Sequence, residues 1–211
     1  MGVDLARHGH EIVGIASLKI MSLEKTGLSS TSTAIPPEAN RRMAIFTLTI
    51  FLGDQLTKLI VLKSLGFQQE YVLVEGFFKF VHWGNTGAAY SLLTGNNEFL
   101  AIVSLVALLA LFLARRHFEI HHKVGQIALG LMFGGILGNV TDRILPSRNH
   151  VIDFIYFYTY QRGGSEIGFP AFNIADTAIC TGVGLILLLS FQTGLSPDSR
   201  KPSVNASEAG D

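Results

Sequence analysis

The sequence predicts a membrane all-α fold with a small β element: four transmembrane helices and a small extracytoplasmic β-sheet. Three observations carry that prediction. Charged residues are only 15% of the 211 residues, against about 25% in soluble domains. Hydrophobic residues reach 48%, and they are gathered into four long stretches rather than spread along the chain. Between the first two stretches lie short runs of β-branched and aromatic residues, a strand signal.

Taken in order, residues 1–40 mix polar residues with an apolar patch from Ile12 to Ile20, then a Ser/Thr-rich linker and Pro36-Pro37. The patch is too short to span a bilayer and lacks the charge order of a cleavable signal peptide. The segment reads as a flexible cytoplasmic extension, with Met21 and Met43 as alternative starts. Met43 to Leu62 is strongly apolar but carries Asp54 and Lys58. Phe99 to Ala114 is an uncharged run of 16 residues, extended backward through Asn96 to Glu98. Val124 to Thr141 is an uncharged run of 18 and Thr177 to Pro197 one of 21. A helix needs roughly 17–25 apolar residues to cross a bilayer, so these are the four spans. A buried soluble bundle would need more polar face than they leave.

The connections have their own patterns. Glu70–Val74 and Phe77–Trp83 read as two strands separated by Glu75-Gly76. Tyr156, Phe157, Tyr158 and Tyr160 in the later connection suit the headgroup level. Gly130, Gly134 and Gly138 recur every four residues, a smooth face for close helix packing. Seven basic residues (Arg41, Arg42, Arg115, Arg116, Lys123, Arg200, Lys201) flank one side and five (Lys63, Lys79, Arg143, Arg148, Arg162) the other. That bias places both termini in the cytoplasm and loops 63–98 and 142–173 outside. The expected division is an extension over 1–40, a membrane domain over 41–195 and a cytoplasmic tail over 196–211.

Composition also excludes. Lys+Arg and Asp+Glu balance at 16 each, so no basic surplus speaks for nucleic acid. Cys180 is the single cysteine, which excludes an intrachain disulfide and a multi-cysteine metal site. His150 and Asp153 are three apart without a further ligand set of zinc spacing, and His121-His122 read as solvated. No phosphate-cradling glycine loop is present. No metal or cofactor is expected.

Ionisable groups inside membrane helices cost about 2.5–3.5 kcal/mol each at the centre, so each is a functional candidate until a structural role is shown. Asp54 and Lys58 lie four apart on one face, as an ion pair or with Asp54 as a catalytic acid. Asp142 and Arg143 follow Gly138-Asn139 at a helix exit, where Arg143 can bond backbone carbonyls or lipid phosphate. Asn85 lies in a small-residue turn, Trp83 to Ala89. Asp153 is a carboxylate among Val151, Ile152, Phe154 and Ile155, and Asp176 stands three beyond Asn173 at the start of the last helix. Brought together in a poorly hydrated place, two carboxylates share a proton, and one activates water while the other protonates or polarises a carbonyl. The plainer reading makes Asp176 a helix N-terminal charge and Asp153 a hydrogen-bonded loop residue.

Five segments in order then carry a resemblance: Asp54-Gln55-Leu56-Thr57-Lys58, Asn85-Thr86-Gly87-Ala88-Ala89-Tyr90, Gly138-Asn139-Val140-Thr141-Asp142-Arg143, Val151-Ile152-Asp153-Phe154 and Phe169 to Asp176. Over roughly residues 43–192 the chain resembles the lipoprotein signal peptidases, the signal peptidase II family of bacterial inner membranes. Tyr90 departs from the phenylalanine more usual there, and residues 1–40 have no counterpart. The resemblance implies an aspartic endopeptidase that cuts diacylglyceryl-modified prolipoproteins just before the lipidated cysteine. It implies Asp153 and Asp176 as the dyad, without metal or covalent intermediate. Asp54, Asn85, Asn139, Arg143 and Asn173 match positions that shape or support the site, to which Lys58 and Asp142 are added as charges beside it. The expected partners are that substrate and membrane lipids, with the chain a monomer. The aromatic residues and sheet are expected to hold acyl chains and close over the peptide. A small transporter and a non-catalytic assembly subunit are the rival classes, though no inverted repeat is evident.

Overall fold

The computed structural model describes residues 37–87, 95–118 and 122–194. The expected N-terminal extension up to residue 36, the tail from 196 and the Ala88-Ala89-Tyr90 part of the second motif lie outside them. Four helices are long and apolar enough to cross a membrane. They are α1 (Pro37–Ser64), α2 (Asn97–Ala114), α3 (Lys123–Ile144) and α4 (Ile174–Gly194). All four expected spans are present. The first begins six residues before Met43 and the last three residues before Thr177, because polar first turns extend the helices past their uncharged runs.

Helix α3 is the middle of the bundle, packed against α1, α2 and α4. Of its most apolar window 56% is buried inside the protein, against 17–22% for the other three. Glycine makes this possible, as the repeat at Gly130, Gly134 and Gly138 suggests. A Cβ at Gly130 would stand 2.6 Å from Phe46 Cβ, and one at Gly134 would stand 2.7 Å from the Thr47 carbonyl oxygen, both on α1. On the other side of α3, Gly135 leaves room for the Ala175 carbonyl of α4. Backbones this close gain dispersion that lipid tails cannot supply to a bulkier face. The outward faces of α1, α2 and α4 expose Leu48, Leu52, Ile102, Leu109 and Leu187. A bilayer would solvate them.

Four strands form one antiparallel array in the order β1 (Glu70–Val74), β2 (Phe78–Asn85), β3 (Val151–Tyr160) and β4 (Glu166–Gly168). The sequence reading has two strands, and the structure adds two. Val151–Tyr160, read as loop, is a ten-residue strand. Its first four residues are all buried, so it lacks the in-out alternation that marks a half-buried strand. Tyr156 and Tyr158 do not lie free for headgroups either: both are buried, packing with Val81, Trp83 and Ala171. Lys79 ties the sheet across, its Nζ 2.6 Å from Glu70 and 2.9 Å from Glu166 and 4.6 Å from the centre of the Tyr158 ring.

The sheet is fastened to the helices at the points that matter for the site. β2 and β3 run with Trp83 opposite Asp153 and Asn85 opposite Val151, after a bulge between Phe80 and Trp83. Ile155 bridges Phe172 just ahead of α4. Val61 of α1 packs with Ile152 and Phe154 of β3. α3 stops at Ile144 because Leu145, before Pro146, takes an extended conformation (φ −72°, ψ 117°).

Candidate active site

Asp54 and Lys58 sit one turn apart on α1, and the ion pair expected from that spacing is present at 2.8 Å. The pair does not stand alone. Lys58 Nζ also lies 2.6 Å from Asp142 Oδ2 of α3 and donates to Asn139 Oδ1 at 3.1 Å. Asp54, Lys58 and Asp142 are each fully buried. Arg148, in the turn after α3, pairs with the other oxygen of Asp142 and donates to Gln55 Oε1 at 2.9 Å. Two acids and two bases thus neutralise each other in the protein interior. Removing Lys58 from the cluster would cost about 3–5 kcal/mol, because Asp54 is then left without a cation. The remaining oxygen of Asp54 accepts the Ala175 backbone N–H at 3.0 Å, one of the free donors at the start of α4.

That start is built around Asn173. Its Oδ1 accepts the Asp176 N–H at 2.9 Å, and Asp176 Oδ2 accepts the Asn173 N–H at 3.2 Å. This is a reciprocal cap, satisfying two N-terminal donors at once. The cap leaves two groups free to face inward. Asn173 Nδ2 donates to Asp153 Oδ1 at 2.9 Å, and Asp176 Oδ1 accepts from Asn139 Nδ2 at 2.8 Å. Asn139 Oδ1 faces both Lys58 and Asn173 Nδ2, the latter at 3.2 Å. With its oxygen so occupied, the Asn139 amide must turn its NH2 toward Asp176. Asn85, at the end of β2, donates to Asp153 Oδ2 at 3.0 Å.

The two carboxylates therefore meet through one asparagine, where the C-terminal end of α3, the N-terminal end of α4 and the first residues of β3 come together. Asp153 is buried and on a strand, not a loop. Burial, and then the charge of Asp176, push its pKa up from 3.8 to about 7, against the pull of the Asn85 and Asn173 donors. Arg143 turns away from Asp142 and donates to the carbonyls of Gly87 at 3.1 Å and Asn139 at 3.4 Å. This is the carbonyl-bonding alternative of the sequence reading, and it ties the second motif's turn to α3.

The structure brings together all nine residues singled out in the sequence. It adds two that were missed, Gln55 and Arg148. Arg148 had a signal: two acids and one lysine inside a membrane protein require a second cation. Gln55 stood within the first matching motif, but its position beside Asp54 says nothing about reaching Asp142 and Arg148. Among the described residues, no three His, Cys, Asp or Glu side chains are grouped to hold a metal ion.

Residues 46–192 match the model of a family described as signal peptidase (SPase) II. The chain belongs to the signal peptidase II family. It is 34% identical over 144 residues to a lipoprotein signal peptidase of Symbiobacterium thermophilum, covering 68% of this chain and 90% of that one. It is 37% identical over 153 residues to one of Nostoc punctiforme, covering 72% and 91%. A solved structure described as a bacterial membrane enzyme superposes with a TM-score of 0.65 at 28% identity, covering 76% of this chain and 93% of that chain. The signal peptidase II assignment makes this chain a multi-pass bacterial membrane protein and an aspartic peptidase. It removes the transporter and assembly-subunit alternatives.

Proposed function

We propose that the chain removes the signal peptide from diacylglyceryl-modified prolipoproteins, cutting before the lipidated cysteine with Asp153 and Asp176 as the catalytic pair. The observation that carries this reading is Asn173, whose one side chain holds Asp153 and caps Asp176. Two neighbouring buried acids hold one proton between them at neutral pH. Asp153 is the acid of the pair, since it is buried and its proton leaves only near pH 7. Asp176 is the base, half-buried at a helix N-terminus that favours its charge. It takes a proton from water as the oxygen attacks the scissile carbonyl, while Asp153 protonates the carbonyl oxygen. As the gem-diol collapses, the now ionised Asp153 takes back a hydroxyl proton and the carbonyl re-forms, while the C–N bond breaks and the proton acquired by Asp176 passes to the leaving nitrogen.

Asn85, Asn139 and Asn173 hold the two carboxylates in register. Asp54, Lys58 and Asp142 fix the helix ends that carry them, and Arg143 anchors the adjoining turn. The basic-residue bias supports cytoplasmic termini and a site at the outer face of the inner membrane. There a substrate helix presents its lipid-bearing cysteine at the interface. Both acids and all three asparagines come from one chain, which supports a monomer as the working unit. Half-buried Trp83 opposite Asp153, and half-buried Phe78 farther along β2 opposite Phe157, support a role for the sheet in holding acyl chains.

The test is a gel-shift cleavage assay on a prolipoprotein with and without its diacylglyceryl group. Wild type should cut the lipidated form only, and Asp153→Asn and Asp176→Asn should each lose at least about 1,000-fold while staying folded. Cleavage surviving in both variants would move the chemistry to other residues. Equal cutting of both precursors would remove the lipid from the substrate definition.

A further inference from the structure

A groove of about 620 Å³ opens at the opposite end of the bundle from Asp153 and Asp176. Asn40 and Thr47 of α1, Leu105, Phe112 and Arg115 at the end of α2, and Phe133 of α3 line it. Its walls are apolar along their length, and the polar groups gather at one mouth, where Asn40 and Arg115 stand. From Leu105 to Arg115 is ten residues, about 15 Å at helical rise. That is half of a hydrocarbon core about 30 Å thick, the depth of one leaflet. The groove lies along helices that cross the membrane, so its solvent is hydrocarbon rather than water.

The mouth is positively charged. Arg41, Arg42, Arg115, Arg116 and Lys123 collect at this end, where Glu38 is the one acid among the described residues. The described ion pairs involve only Lys58, Lys79 and Arg148, so none of these five cations is neutralised by a described carboxylate. Arg115 is held ready: its guanidinium lies 3.8 Å from the centre of the Phe112 ring and donates to the Phe112 carbonyl at 2.5 Å. Those contacts fix its direction without cancelling its charge.

We propose that this groove is a binding site for one anionic phospholipid, with an acyl chain between α1 and α2 and the phosphate at Arg115 and Asn40. The substrate's own signal helix is a poor occupant. Signal peptides begin with a basic segment, which in the proposed orientation would arrive at this mouth and meet like charge. A phospholipid phosphate supplies the missing anion and a chain of matching depth.

Native mass spectrometry of the purified full chain, offered equal phosphatidylglycerol and phosphatidylcholine with identical acyl chains, reads the site directly. One phosphatidylglycerol should be retained with about fivefold preference, the effect of one basic residue near an anionic headgroup. Arg115→Gln should abolish the preference while lipid still binds, and Arg115→Lys should keep most of it. Leu109→Trp fills the groove from its exposed rim and should remove the retained lipid of either kind. Equal retention of the two lipids by wild type, or a preference that survives Arg115→Gln, overturns the proposal. So does a photo-cross-linker at Leu105 that captures the substrate's signal helix or residues 1–36 in place of lipid.

Discussion

Asp153 carries the clearest consequence at the scale of one residue. An ordinary aspartate loses its proton near 3.8, and this one near 7, because burial and the adjacent Asp176 oppose a second negative charge. Between those values the folded chain holds a proton that the unfolded chain has released. Stability contributed by that proton is complete below about 3.8, falls as pH rises through the window, and is gone above about 7. Asp153→Asn has no such proton. Against the pH dependence that the two proteins share, the melting temperature of wild type should fall relative to that of the variant by on the order of 5 °C from acid to neutral pH. Parallel melting curves for the two proteins across that range would refute the shift. Catalysis has the same ceiling, since above about pH 7 the proposed dyad loses the proton it shares. Asn85 donates to the carboxylate form of Asp153, so Asn85→Ala should move the alkaline limb of the rate profile upward. An alkaline limb that stayed in place or moved down would show that this donor does not tune the pair.

Helices and strands differ in how far their residues announce them. The four spans were legible because a bilayer demands a length and polarity that few other settings require. The glycine repeat on α3 was legible as a packing face for the same kind of reason, a fixed period. β3 was not legible, because Val151 to Phe154 are buried on both faces and leave no alternation to read. Its pairing with β2 depends on residues nearly seventy positions away, which no local pattern contains. The glycines give a test at this scale that compares like with like. A methyl added at Gly53 of α1 would have nothing within 4 Å, whereas one at Gly134 would meet the Thr47 carbonyl at 2.7 Å and Ile50 Cβ at 2.8 Å. Gly53→Ala should therefore be neutral or stabilising by up to about 1 kcal/mol, from helix propensity alone. Gly134→Ala should cost on the order of 1–3 kcal/mol by forcing α1 from α3. It should also lower cleavage, since Asp54 and Lys58 ride on α1. Thermal unfolding of the two variants side by side decides the matter, and equal midpoints would mean that α1 can shift freely.

The whole molecule sets a depth for its chemistry. The charged residues of the proposed site stood out in the sequence because an ionisable group beside a membrane span is expensive. Asn85, Asn139 and Asn173 were named by the family resemblance, and Gln55 and Arg148 were missed. What could not be read was the wiring: that Lys58 serves Asp54, Asp142 and Asn139 together, or that Asn173 joins Asp153 to Asp176. Such contacts exist only once α1, α3, α4 and β3 meet, and that meeting lies at the ends of the helices. α2, α3 and α4 have 18, 22 and 21 residues, about 27–33 Å at helical rise, close to a core of about 30 Å. α1 has 28 residues and so reaches about 42 Å, carrying its end out to the sheet. Asp176 lies in the first turn of α4, so the proposed dyad belongs at the boundary of a bilayer of this thickness. A thicker bilayer closes over those helix ends at a modest cost per ångström and separates the dyad from the cut site that a substrate helix holds at the interface. Cleavage in proteoliposomes of short, medium and long monounsaturated phosphatidylcholines should thus peak at the medium length. In the longest it should fall by about threefold or more, with the fold retained. A rate indifferent to chain length would detach the chemistry from the interface and place the cut within a water-filled recess of the protein itself.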